Sequence, residues 1–212
     1  MKYEAHCVGA IWARGLFYLI LLLTLAGCAL TEKQVRASVY DFGPGALVAA
    51  PEPAAAPALP PLALGDVQTS QALDSLAVLY RLDYADAQQL RPYAHARWSA
   101  PPAQLVRQRL SEVLSRDRAV VNASESTVPL VLRVELEEFS QRFTSPAQSS
   151  GVIRLRVTLT RILPAGERPV AQRSVVVQRP APSLDAPGGV QALAAATDAA
   201  AQEIAQWLAP LR

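Results

Sequence analysis

The chain is short of the residues that most catalytic chemistry needs. Its 212 residues include two cysteines, at 7 and 28, and two histidines, at 6 and 95. A zinc site draws on several Cys or His ligands, and a Ser-His-Asp or Cys-His arrangement needs a positioned imidazole. His6 and Cys7 both precede an apolar run, and His95, in "RPYAHARWS", has no motif around it; it reads as a surface or strand histidine. From residue 28 onward glycine stands only at 43, 45, 65, 151, 166, 188 and 189, which excludes a glycine-rich phosphate loop. Glu137 and Glu138 are neighbours on an expected strand, where adjacent side chains point to opposite faces and cannot share a substrate. No enzymatic activity, metal or other cofactor is expected. The 20 basic and 18 acidic residues are interspersed, with no basic block, so no nucleic-acid partner is expected either. No repeat with a period of about 20–50 residues is present, which excludes a solenoid.

A long apolar run is missing too. The stretch "LFYLILLLTLA", Leu16 to Ala26, has 11 residues. A spanning helix needs about 20 and a signal-peptide core about 7–15. Extended backward the run meets Arg14, which costs at least about 2.5 kcal/mol at mid-bilayer, and extended forward it meets Glu32 and Lys33. With Lys2 and Arg14 ahead of it and the small residues Ala26 and Gly27 behind, residues 1–27 read as a secretory signal.

Its last residues, "Leu25-Ala26-Gly27-Cys28", resemble the bacterial lipobox. There the thiol accepts a diacylglyceryl group, the chain is cut between the positions of Gly27 and Cys28, and the new amino group can be acylated. Two or three chains, at about 0.8 kcal/mol per buried CH₂, anchor where one does not. Residue 29 is Ala and not Asp, which by analogy with enterobacterial sorting favours the outer membrane, with the domain lipid-anchored at its periplasmic face. Cutting there leaves 185 residues, enough for one domain with a core. Cys28 becomes the sole mature cysteine, so stability must come from packing without a disulfide.

What is present after Cys28 is a linker-like stretch and a series of periodic segments. Residues 28–38 form a tether to a domain over 39–212. Within it, 46–61 ("ALVAAPEPAAAPALPP") is a Pro/Ala-rich loop or linker, about 50 Å long at about 3.1 Å per residue. Either Tyr40–Phe42 pairs into a sheet and this run is a surface loop, or everything before Pro61 is tether; the former is preferred. "LALGDV" (62–67) and "LAVLYRL" (76–82) read as strands, the second apolar on both faces and central. Asp74-Ser75 makes the turn between them. "LRPYAHARW" (90–98) is demoted to a short or edge element by Pro92.

A helix is expected from Ser99 as its cap to Asp117, with Pro101 and Pro102 in its first turn and Val106, Leu110, Val113 and Leu114 as its apolar stripe. Arg107, Arg109, Glu112 and Arg116 are assigned to its solvated faces. Short "AVVNA" and the strands 129–139, 152–162 and 169–179 follow, the last two pairing as a hairpin through the turn Pro164–Pro169. Leu130, Leu132, Val134 and Leu136 share one face, and Ile153, Leu155, Val157 and Leu159 another. Arg154 and Arg156 opposite Glu135 and Glu137 predict cross-strand ion pairs, each worth at most about 1 kcal/mol. A long Ala-rich helix closes the chain. Gly188-Gly189 marks its start, and its apolar face is either core packing, the preferred reading, or an oligomer seam, so a homo-oligomer stays open. The fold class is α/β: a mixed sheet of about five to six strands packed with two main helices, a single domain.

Four stretches, "VYDFGP" (39–44), residues 76–110, residues 130–162 and "GGVQALAAATDAAAQEIAQWL" (188–208), resemble the ABC-type transport auxiliary lipoprotein family, the group that includes PqiC. The Pro/Ala insert has no counterpart in that match. The resemblance implies membership of a transport system with a permease, an ATPase and an MCE-domain protein that spans the periplasm. Such systems move phospholipid or other hydrophobic molecules between membranes, and the lipoprotein docks the MCE subunit at the outer membrane. The alternatives are a lipid-binding carrier module and a structural envelope lipoprotein. Tyr84, Tyr93 and Trp98 are the interface candidates, since aromatic side chains often anchor interfaces, with core packing as the blander reading of the same three.

Overall fold

The computed structural model describes residues 36–44 and 59–211. The expected signal peptide (1–27), Cys28, most of the expected tether and residues 46–58 of the Pro/Ala run lie outside the described residues. A compact unit runs from Ala37 to Arg212.

All the expected strand segments form, the first of them at Ser38–Tyr40 instead of the expected Tyr40–Phe42, and they join one sheet. The strands are β1 (Ser38–Tyr40), β2 (Leu62–Thr69), β3 (Ala77–Leu82), β4 (Ala87–Trp98), β5 (Val120–Asn122), β6 (Leu130–Ser145), β7 (Gln148–Leu163) and β8 (Gly166–Pro180). Eight strands therefore replace the five to six expected. The excess comes from β1 and β5, three residues each, too short for a period to show but able to add by parallel pairing at the edges. The helices are a single turn α1 (Asp83–Asp86), α2 (Pro102–Leu114) and α3 (Ala186–Leu208). The fold is mixed α/β, as expected.

β6 organises the sheet. β7 pairs antiparallel along one edge of it, and β8 pairs antiparallel with β7. On its other edge β6 takes two parallel neighbours end to end: β2 beside Val131–Leu136 and β3 beside Gln141–Phe143. β3 lies between β6 and the antiparallel β4, which makes it central as its two-faced apolar pattern requires. β4 is longer than the element expected around Pro92. Its first part has a neighbour on one side only, which is how a residue with no backbone N–H is accommodated.

The turn between β7 and β8 is shorter than expected, leaving Pro164 and Ala165 between the strands and placing Pro169 inside the edge strand β8. The β6–β7 hairpin also extends further than its apolar alternation suggests. Its distal part carries Ser140, Gln141, Ser149 and Ser150, which are buried polar residues and so break the pattern on which a strand is recognised.

A bulge in β6 sets the core. Leu136 pairs with Leu155 and Glu138 with Arg154, leaving Glu137 as the extra residue. On an unbroken strand Leu136 and Phe139 would point to opposite faces; the added residue lets both be buried. It also overturns the expectation for Glu137 and Glu138. Both lie on the outer face, Glu137 against Arg156 and Glu138 against Arg81 at 3.5 Å. Arg156 also reaches Glu135 at 3.5 Å, so the expected cross-strand pairing forms around this arginine.

Helices α2 and α3 pack on the inner face, α2 over β2 and α3 over β6, β7 and β8, and they touch each other. One apolar cluster fills the space between. The Ala-rich face of α3 (Ala192, Ala196, Ala200, Ala201) is core packing, each residue buried. Small residues let the helix approach closely: a Cβ on Gly151 of β7 would stand 2.5 Å from the Leu193 backbone nitrogen. α2 begins later than expected. Its N-cap is Pro101, and the Ser99 N–H instead donates to the Tyr40 carbonyl at 2.7 Å; the C-cap is Ser115, ahead of Asp117.

Candidate functional site

The three aromatic candidates do not form one surface. Trp98, at the end of β4, is 1% exposed. Its ring lies 5.6 Å from both Phe42 and Phe139, so it is a core residue and offers a partner nothing to touch. Tyr84, on α1, is 48% exposed. Tyr93 is half-buried between these extremes, with its ring 4.6 Å from that of Tyr80, which in turn meets Phe143. The Tyr93 hydroxyl donates to Gln141 Oε1 at 2.8 Å, and Gln141 Nε2 donates to Ser149 Oγ at 2.8 Å. Burial, then the neighbouring Tyr80 and Asp185, push the Tyr93 hydroxyl well above the usual tyrosine range.

Around Tyr84 the chain is ordered by charge. Arg142 of β6 pairs with Asp83 at 2.8 Å, and Arg81 Nη1 donates to the carbonyls of Ala87 and Gln88 at 3.3 and 3.2 Å. This holds the β3–α1–β4 corner beside the β6–β7 hairpin. The nearby start of α3 is capped by Asp185, whose Oδ1 accepts from the Gly188 N–H at 3.0 Å; a bond from the Ser183 hydroxyl, and then this one, hold its carboxyl below the usual range. The result is a polar, tyrosine-bearing end of the sheet.

Arg109 is the residue that sequence reasoning placed wrongly. Assigned to a solvated face, it is 5% exposed. Its Nε faces Glu112 at 3.2 Å and its Nη1 faces Asp198 of α3 at 2.9 Å, while Nη2 donates to the carbonyls of Phe42 and Gly43 at 3.0 and 3.2 Å. The signal that could have found it is positional: 109 stands three residues after Val106 and four before Val113, inside the apolar stripe. Beside it is a cavity of about 180 Å³, edged by Asp41, Phe42, Ser99, Gln108 and Glu112. That is below the roughly 300–1,000 Å³ of small-molecule sites, and its rim is polar, so an acyl chain does not suit it.

His95 is exposed on β4. Among the described residues no three His, Cys, Asp or Glu side chains gather as metal ligands. Among them too, no helix is long and apolar enough to cross a membrane. A model of the family described as ABC-type transport auxiliary lipoprotein component matches residues 40–205. The chain belongs to that family. The match begins twelve residues after Cys28 and spans β1's last residue through most of α3.

This auxiliary lipoprotein has relatives among solved structures. Protein XCC0632 from Xanthomonas campestris superposes with a TM-score of 0.63 at 20% identity, over 74% of this chain and 88% of its own. A crystal structure of an uncharacterized protein gives 0.61 at 16% identity, over 82% and 99%. At these identities the likeness is one of fold. Among curated proteins none matches the auxiliary lipoprotein. Its family is defined by a transport role and not by an enzymatic activity.

Proposed function

We propose that this auxiliary lipoprotein is held at the periplasmic face of the outer membrane by lipid on Cys28, after cleavage between Gly27 and Cys28. There it docks the MCE-domain subunit of an ABC transport system, with a permease and an ATPase at the other end, that moves phospholipid or another hydrophobic cargo between membranes. The observation that carries this reading is the family match over residues 40–205 with a lipobox-like sequence just upstream. The role is that of an adaptor. The cavity beside Arg109 is polar-rimmed and is not proposed as a lipid site. Tyr84, exposed at the charged corner, is the aromatic residue proposed to face the partner, with Tyr93 behind it; Trp98 is withdrawn from this role.

Two measurements test the proposal. Metabolic palmitate labelling should mark the wild-type chain and not the Cys28→Ser variant, and equal labelling of the two would end the anchor reading. Affinity capture of the membrane-extracted chain should bring down an MCE-domain protein, and recovery of none would end the adaptor reading.

A further inference from the structure

The first described segment of the domain, residues 36–44, is fastened by very little backbone pairing. β1 contributes three register partners to β4: Ser38–Ala96, Val39–Arg97 and Tyr40–Trp98. Beyond β1 the chain is held by side chains. Phe42 places its ring 5.6 Å from Trp98 and 6.0 Å from Phe139, entering the aromatic part of the core. Gly43 then turns with φ +67°, a conformation glycine takes without strain, and its N–H donates to Asp41 Oδ1 at 2.7 Å. The turn aims two successive carbonyls, those of Phe42 and Gly43, at one guanidinium nitrogen of Arg109.

That guanidinium is a costly group to bury, and Glu112 and Asp198 already pair its charge from their own helices. The remaining bonds go to a segment that belongs to neither helix. After residue 44 the next described backbone fixed to the body is Leu59, whose N–H donates to the Asp117 carbonyl at 3.2 Å, and Leu62, whose N–H donates to Ala119 at 2.9 Å.

We infer that Arg109 is a clasp that sets the length of the leash between the anchor and the body. This rests on the proposed lipid at Cys28; the clasp itself does not. With residues 38–44 clasped, ten residue steps separate Cys28 from Ser38, a reach of at most roughly 35 Å. With them released, 31 steps separate Cys28 from Leu59, and the limit rises to roughly 110 Å. Arg109 is a positioning residue: it touches no cargo, and it decides how far the folded body stands from its bilayer. The planar fork matters here, because a lysine in the same place keeps the charge toward Asp198 and Glu112 but lacks the geometry to serve both acids and both carbonyls together.

The test uses the full lipidated chain in phosphatidylethanolamine–phosphatidylglycerol vesicles. Hydrogen exchange is followed by mass spectrometry in the wild type, Arg109→Met and Arg109→Lys. A fluorophore on Ser115→Cys reports energy transfer to a dye in the headgroup layer. Amides 38–43 should exchange at least tenfold faster in both variants while those of β6 and β7 keep their rates, and energy transfer should fall. Unchanged exchange at 38–43 in a folded variant overturns the clasp. So does an equal rise over the whole body, which is what a merely structural arginine would give. If Arg109→Met does not fold, Arg109→Lys decides by the same two readings. Faster exchange at 38–43 with unchanged energy transfer overturns the leash. A chain that takes up no palmitate overturns the anchor and the leash with it, and the exchange rates still judge the clasp.

Discussion

At the scale of single residues, the most constrained polar group is the Gln141 amide. It is fully buried, accepts from Tyr93 and donates to Ser149. The start of α3 closes over it so tightly that a Cβ on Gly189 would stand 2.1 Å from its Oε1. Replacing Tyr93 by Phe removes the donor and leaves the buried acceptor without that bond, a cost of about 1–3 kcal/mol. The sign of the pH effect follows from the raised Tyr93 pKa. The folded state holds this proton more tightly than the unfolded chain, so the contribution is complete below the usual tyrosine value of about 10 and is lost as pH rises past it. Urea unfolding should therefore show Tyr93→Phe less stable than the parent at pH near 7, with a shallower loss of stability above about pH 10. Parallel slopes for the two proteins would show that Tyr93 is not the titrating group. Arg109 teaches a different lesson at this scale. Its charge argued for solvent, its helical position argued for the core, and position decided because acids and carbonyls were within reach to accept it.

At the scale of elements, the bulge in β6 carries the most consequence. Leu130, Leu132, Val134 and Leu136 obey the period of two read from the sequence, and Phe139 does not unless one residue is added before it. Deleting Glu138 removes the extra residue, so Leu136 and Phe139 become alternate residues of a regular strand and Phe139 stays on the inner face opposite Ile153. Phe139 keeps Trp98 and Phe42, Gln141 keeps Tyr93 and Ser149, and the outer ion pair with Arg81 is lost. The expected outcome is a single cooperative unfolding transition with coincident melts by near- and far-ultraviolet circular dichroism; non-coincident melts would show that the bulge geometry, and not the register alone, holds the core. The long strands and α3 were readable because each keeps one period for many residues. β1 was placed two residues late, at 40–42, and β5 within "AVVNA", because three residues carry no period to fix their bounds; the four-residue α1 was not foreseen, and the β6–β7 tip was hidden by its buried serines and glutamine.

At the scale of the whole molecule, the two ends of the aromatic set separate stability from docking. Tyr84→Ala removes an exposed ring from the corner of the sheet, and capture of the proposed MCE-domain partner should weaken by about tenfold or more, with thermal stability unchanged. Trp98→Ala should instead cost about 3–5 kcal/mol of stability by opening the core between Phe42 and Phe139. Unaltered capture by the Tyr84 variant in a binding titration would move the docking surface elsewhere.

The sequence by itself determined the features written in contiguous residues. These are the lipobox-like sequence at 25–28, the identity of the long strands and both main helices, the mixed α/β class, and the family resemblance that the match over 40–205 bears out. Such features need only a local window, because hydrophobic period and short motifs are properties of neighbours along the chain. Tertiary structure alone decided that β2 and β3 share one edge of β6, that Glu137 and Glu138 face the same way, that Trp98 is core, and that Arg109 reaches back 66 residues to Gly43. Each depends on which distant segments meet, and the energy of a buried charge or an inserted residue is set by what surrounds it after they do.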